Sequence, residues 1–152
     1  MKNLSILLKT SAALWIIWGL VHVFAGIMVM KGPLTGDISA SVSGIADAIE
    51  PSLLQMDYPK AAGAIIAQHG FNLFWIGLFT FIGTFYIWKG NKTGIIFTAI
   101  VGGLTDLGYF IFIDLGGIAN FLPGTLMTIV SATAIILSLY VHFKTRNKIV
   151  AE

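Results

Sequence analysis

Four long runs of apolar residues constrain this chain more than any other feature of its sequence. They cover about residues 11–30, 62–88, 93–113 and 125–143, and charged or turn-forming residues separate them. Each run is long enough for an α-helix to cross the hydrocarbon of a bilayer, which takes ~17 to 25 residues. We therefore predict an all-α integral membrane protein, with a single domain over residues 1–152 that forms a bundle of four transmembrane helices.

The composition agrees with a protein whose main partner is the lipid bilayer. Hydrophobic residues make up 57% of the chain and charged residues 11%, whereas a water-facing surface is typically ~25 to 35% charged. This excludes an ordinary soluble domain, and the net charge of +2 gives no dense basic face for nucleic acid. The absence of cysteine from the sequence excludes disulfides, thiolate metal sites and cysteine nucleophiles.

The basic residues predict the orientation of the spans. Those expected on the cytoplasmic side are Lys2, Lys9, Lys89, Lys92, Lys144, Arg146 and Lys148. The opposite connections contain Lys31 and Lys60. The positive-inside rule then places both termini in the cytoplasm, and in a bacterium the protein would lie in the cytoplasmic (inner) membrane. We expect the first run to be retained as a span rather than cleaved as a signal peptide, because it is long enough to cross the bilayer.

The outer loop at residues 31–61 is too long for a simple turn and contains its own helical pattern. Apolar residues recur at helical spacing, at Ile38, Val42, Ile45 and Ile49. Asp37 stands where a helix N-cap is expected. We predict a short amphipathic helix that ends before Pro51. It would either lie on the outer leaflet or cover a cavity between the spans.

Three ionisable residues within the spans are the strongest functional signal. His22, His69 and Asp106 lie seven or eight residues inside the outer ends of their spans, which is ~10 to 12 Å at about 1.5 Å per residue. An ionisable group at this depth is costly, ~2.5 to 3.5 kcal/mol for a central Asp, so each one needs an explanation. Their common level predicts that they meet and form one proton-holding unit.

Polar residues on the other helices predict the inward faces. In the fourth span a stripe at helical spacing consists of Thr128, Ser131, Ser138 and His142. In the second span the corresponding stripe consists of His69, Asn72, Ile76, Thr80 and Gly83. With aromatic walls added, the candidate ligand-binding residues are His22, His69, Asp106, Asn72, Ser131, Trp18 and Tyr109.

Three classes of function remain open at this point. The first is a pocket for a small or lipid-like ligand or a proton relay, in which a histidine oriented by Asp106 could act as a general base, although no nucleophile motif defines a reaction. The second is a b-type haem or a divalent metal ion held by His22 and His69, with Asp106 as a third metal ligand. The third is a structural or assembly subunit that contacts another membrane protein or a second copy of itself.

Overall fold

A computed structural model describes residues 2–149 of the chain and the side chains of residues 3–145. Within this range the chain forms five α-helices: α1 (Lys2–Thr35), α2 (Ile38–Ile45), α3 (Lys60–Trp88), α4 (Lys92–Tyr109) and α5 (Leu126–Ile149). The side chains of Lys2, Arg146 and Lys148, which entered the prediction of orientation, lie outside the described residues.

The helices fit the predicted spans. Four of them, α1, α3, α4 and α5, are long and apolar enough to cross a membrane, and the described part of the chain contains no strand. Helix α1 begins well before the apolar run at residue 11, because Leu4, Ile6, Leu7 and Leu8 continue the apolar sequence on the N-terminal side of Lys9 and Thr10. A π-helical turn at Phe110–Asp114 continues α4, and Phe121–Thr125 leads into α5.

The four long helices form a ring in which each contacts two neighbours. The pairs in contact are α1 with α3, α3 with α4, α4 with α5, and α5 with α1. Consecutive long helices run antiparallel, as the Lys9 ammonium near the start of α1 shows by lying 5.3 Å from the Trp88 ring at the end of α3. Helices α1 and α4 therefore face each other diagonally across the bundle.

The two ends of the bundle differ in charge. At one end, here called the lysine end, the ammonium groups of Lys9, Lys89 and Lys144 lie over the rings of Trp88, Phe85 and Tyr140 at 5.3, 4.0 and 5.2 Å. The opposite end, here called the acidic end, holds α2 and the carboxylates of its loops. Paired basic and aromatic side chains are typical of the boundary between lipid and water.

Glycines bring the backbones of α1 and α3 into direct contact. A Cβ atom added to Gly26 would lie 2.6 Å from the carbonyl oxygen of Gly70, and one added to Gly77 would lie 2.7 Å from that of Gly19. In α3 the buried glycines Gly63, Gly70 and Gly77 recur every seventh residue. This is the close small-residue packing expected between helices in lipid, where dispersion contacts and not the hydrophobic effect hold helices together.

Two tryptophans fill the lysine-end half of the bundle. Trp15 and Trp18 of α1 are fully buried and meet edge to face, with ring centroids 5.4 Å apart. Gly102 of α4 leaves the space that the Trp15 ring occupies, because a Cβ there would overlap the ring. Other fully or almost fully buried members of this core are Ala12, Ile87, Ile95 and Ala134.

Helix α2 begins as predicted but is shorter. The Asp37 carboxylate accepts a hydrogen bond from the Ala40 amide at 3.0 Å, and Ser41 is buried and donates to the Val29 carbonyl at 2.8 Å. The helix ends at Ile45 rather than continuing to Ile49.

The early end of α2 has a cause in the second acidic-end connection. The backbone amide of Asn120 donates to the Asp47 carboxylate at 2.6 Å, and its side-chain amide donates to the Asp47 carbonyl at 2.8 Å. The Ala48 amide donates to the Ile118 carbonyl at 3.2 Å. The backbone groups of Asp47 and Ala48 therefore form hydrogen bonds with the neighbouring loop instead of continuing α2.

The contact between α1 and α3 predicts a marked effect of one added methyl group. Gly26→Ala should lower the free energy of unfolding by ~1 to 3 kcal/mol, because the methyl group would overlap α3 backbone that cannot move without separating the helices. Gly108→Ala is the matched control, since a Cβ at Gly108 has open space around it. Reversible unfolding in mixed micelles measures both variants, and equal stabilities would contradict this account of the helix contact.

Candidate functional site

A buried carboxylate lies at the centre of the candidate site. Asp106 of α4 is 4% exposed, and the indole Nε1 of Trp18 donates a hydrogen bond to its Oδ2 atom at 2.7 Å. The Ser131 hydroxyl of α5 also approaches this carboxylate, while it donates to the Thr128 carbonyl at 3.1 Å. A carboxylate inside an apolar bundle persists only where such polar partners replace water.

His22 completes the arrangement from the next turn of α1. Its Nε2 atom lies 3.8 Å from Oδ1 of Asp106. Because His22 follows Trp18 by four residues, the two rings stack, with centroids 3.5 Å apart and an interplanar angle of 19°. The Nδ1 atom lies 2.9 Å from the Trp18 carbonyl oxygen. One face of α1 therefore presents both an indole donor and an imidazole to the same carboxylate.

The pair lies on the wall of a cavity in the acidic-end half of the bundle. The cavity has a volume of about 130 Å³. All five helices or their adjoining turns contribute to its wall. Its polar wall residues are His22, Asp47, His69, Asp106 and Tyr109. Apolar wall residues surround them and include Val21, Ala25, Leu73 and Met127.

Helix α2 and the turn after it cover this cavity. Gly44, Ile45 and Asp47 form part of the wall, and Asp47 is held by Asn120 of the other loop. Of the two interpretations of the predicted outer-loop helix, the structure therefore favours a cover over a cavity.

A second cavity adjoins the first and extends toward the surface of the bundle. Its volume is about 420 Å³, and it lies between α1, α2 and Pro123. The two cavities share the wall residues Val21, Ala25, Val29, Gly44 and Pro123. Phe24 and Met28 make the second cavity apolar, and Lys31 stands at its edge on the acidic end. We refer to it as the side groove.

The structure brings together most of the residues singled out from the sequence. Trp18 and Ser131 approach the Asp106 carboxylate, and the Tyr109 hydroxyl packs against Gly124 at the cavity wall. His69 shares the cavity with the His22 and Asp106 pair, but much of its surface is exposed, which places it at the edge of the cavity.

Asn72 is not part of this arrangement. Its side chain is exposed and accepts a hydrogen bond from the Trp75 indole at 3.1 Å. Thr80 and Gly83 of the predicted stripe in the second span are buried, but Asn72 faces outward. The line of glycines through Gly70 and Gly77 faces α1 and sets the rotation of α3. In the fourth span the predicted stripe agrees with the structure, since Ser131 and Ser138 are both buried.

Asp47 is the polar wall residue that the sequence did not indicate. It belongs to the outer loop, and its distance from the spans gave it no predicted role. The apolar pattern that predicts α2 could have indicated Asp47. If α2 covers the bundle, the residues that directly follow it lie over the cavity.

The sequence predicted His22, His69 and Asp106 as the ligands of a haem or a metal ion. In the structure Nδ1 of His22 lies 2.9 Å from the Trp18 carbonyl oxygen, and Nε2 lies 3.8 Å from Oδ1 of Asp106. Among the described residues, no three His, Asp or Glu side chains are grouped closely enough to hold a metal ion.

Comparison with protein-family models, with curated proteins and with solved structures gives no match for this chain.

The hydrogen bond between Trp18 and Asp106 predicts a non-additive pair of substitutions. Trp18→Phe should lower the free energy of unfolding by ~1 to 3 kcal/mol beyond the loss of packing, because the buried carboxylate loses a donor. In an Asp106→Leu background the same change should cost less, since no carboxylate remains to be satisfied. A double-mutant cycle of unfolding in micelles measures the difference.

Trp75→Phe is the control for this cycle, because the Trp75 indole donates to Asn72 at an exposed position. It should have little effect in either background. An equal cost of Trp18→Phe with and without Asp106 would show that the hydrogen bond contributes nothing.

Proposed function

We propose that this protein is a multi-pass protein of the cytoplasmic membrane, with both termini in the cytoplasm, that binds a small or lipid-like ligand in the cavity beside His22 and Asp106. The observation that carries this proposal is the buried carboxylate and imidazole on the wall of a mainly apolar cavity. A few fixed polar groups in an apolar wall are typical of ligand pockets, and ionisable groups at membrane depth are typical of functional sites.

The outer surface of the bundle supports the membrane location. Large apolar side chains are exposed on it, among them Phe112 at 75%, Ile136 at 66% and Phe24 at 65%. A soluble monomer rarely leaves so many such groups in water. The basic and aromatic pairs at the lysine end fit the cytoplasmic boundary of the membrane.

The position of the cavity favours binding over proton conduction across the membrane. Toward the lysine end, the fully buried Trp15 and Trp18 rings fill the interior next to the pair. A path for protons would need a continuous chain of polar groups or water through this half. The hydroxyls buried there, those of Ser11, Thr80, Thr84 and Ser138, instead donate to backbone carbonyls, and they stand among Ala12, Trp15, Ile87 and Ile95. The cavity is therefore closed on that side and serves a ligand that enters and leaves at the acidic end.

The side groove supports a ligand with an apolar part. It adjoins the cavity and carries Phe24 and Met28, both exposed on α1, so lipid would reach it directly. A molecule that enters from the outer leaflet could place its polar group near Asp106 and leave an apolar portion in the groove. The common cavity that His22, His69 and Asp106 line also supports a pocket over an assembly surface, for which the three residues would not all be directed to one interior.

The proposed topology predicts which side of the membrane is accessible. Because the sequence contains no cysteine, a single Ser52→Cys or Asn91→Cys substitution introduces one thiol, and both positions are exposed. In intact cells, a membrane-impermeant maleimide should label the Ser52→Cys protein, whereas the Asn91→Cys protein should be labelled only after lysis. The opposite pattern would reverse the proposed orientation, and labelling of both in intact cells would contradict the membrane location.

The proposed pocket predicts a ligand that is lost when the cavity is filled. Ala25→Phe places a ring at the wall shared by the cavity and the side groove, whereas the control Ala64→Phe adds the same ring at an exposed position of α3. Native mass spectrometry of protein purified in mild detergent should detect a bound small molecule on the wild type and on Ala64→Phe, and much less on Ala25→Phe. Equal occupancy of all three, or none on any, would count against the pocket.

A further inference from the structure

The hydrogen-bond geometry of His22 fixes which of its nitrogens carries a hydrogen. Nδ1 lies 2.9 Å from the carbonyl oxygen of Trp18. A carbonyl oxygen only accepts hydrogen bonds, so the hydrogen is on Nδ1, and Nε2 of the neutral ring is left as an acceptor.

Two acceptors therefore face each other at the cavity wall. Nε2 of His22 and Oδ1 of Asp106 are separated by 3.8 Å, which is too long for a direct hydrogen bond. Facing acceptors repel in an apolar interior unless a donor lies between them. The geometry thus calls for a third group that carries at least two hydrogens and reaches both atoms from the cavity.

The charge of the wall selects among such donors. Of the side chains that the structure describes, the wall contains the carboxylates of Asp106 and Asp47 and no lysine or arginine. With His22 as a neutral acceptor, a cationic donor would pair with the Asp106 carboxylate, and such a pair forms stronger hydrogen bonds than a neutral hydroxyl does. An anionic ligand would instead be repelled.

The size and wall of the cavity limit the rest of the ligand. Its volume of about 130 Å³ is close to the ~150 Å³ of a protein cavity that holds benzene. Val21, Ala25 and Leu73 offer apolar contacts around it.

We propose that the cavity binds a small organic ammonium ion, whose N–H groups bridge Oδ1 of Asp106 and Nε2 of His22 and whose apolar body lies against Val21, Ala25 and Leu73. This proposal rests on the proposed ligand-binding function and names the chemical class of the ligand.

Three probes of the same shape test the proposal: cyclohexylammonium, cyclohexanol and cyclohexanecarboxylate. Isothermal titration of the full chain in detergent, with binding to empty micelles subtracted, should give an affinity for cyclohexylammonium at least about tenfold above that for cyclohexanol. Cyclohexanecarboxylate should bind more weakly than both.

Variants of the protein test whether the ammonium ion binds in the cavity. Asp106→Asn should remove the preference for the ammonium ion, whereas the matched control Asp57→Asn, an exposed carboxylate outside the cavity wall, should keep it. Since Asp106→Asn removes a buried charge and could prevent folding, Ala25→Phe provides a second test that leaves every charge in place. It should weaken cyclohexylammonium binding by at least about tenfold.

Each other outcome overturns the ammonium proposal in a recognisable way. Equal affinities of the wild type for cyclohexanol and cyclohexylammonium, both lost in Ala25→Phe, would leave the pocket in place with a neutral ligand. Ammonium binding that Ala25→Phe and Asp106→Asn do not change would place it outside the cavity. If no probe binds while native mass spectrometry detects a co-purified molecule, the ligand belongs to another class; if neither is observed, the proposed function fails as well.

Discussion

The carboxylate of Asp106 is the constraint around which the acidic-end half of the bundle is arranged. In an apolar interior it needs donors close by, and α1 supplies one through the Trp18 indole at 2.7 Å. Because α1 and α4 are diagonal in the ring, this contact requires a side chain as long as tryptophan. The next turn of α1 then brings His22 to the same carboxylate, and the Trp15 ring one turn earlier fits against Gly102.

The bundle divides into two halves with different properties. The lysine-end half is filled by aromatic and aliphatic side chains and by small hydroxyl side chains such as those of Ser11, Thr80 and Ser138, whereas the acidic-end half holds the cavity, the His22 and Asp106 pair and the cover formed by α2. This division separates a filled core from the half in which a pocket is proposed. The glycine contact between α1 and α3 holds both halves together, because it extends from Gly19 near the closed core to Gly26 near the cavity.

The sequence predicted the helices and the depth of the polar residues, because apolar length and residue counting report position along a helix axis. The meeting of His22 and Asp106 followed from this counting alone. Rotation about the axis was harder to predict: in α3 the polar residues indicated an inward face that included Asn72, but backbone contact at Gly70 and Gly77 sets the rotation instead. Contacts between loops, such as that of Asp47 with Asn120, join residues far apart in sequence and leave no periodic signal.

The attachment of Asp47 to Asn120 also bears on how quickly the cavity exchanges its contents. Two hydrogen bonds between these residues, at 2.6 and 2.8 Å, fasten the cover to the connection between α4 and α5. Both are near water, so breaking them together with the Ala48 to Ile118 bond costs only ~1.5 to 4.5 kcal/mol in total. Openings of that size recur many times within the lifetime of the folded bundle. The residence time of the proposed ligand would then be governed by the strength of its contacts inside the cavity, and a weakly bound molecule would equilibrate with its surroundings instead of becoming trapped.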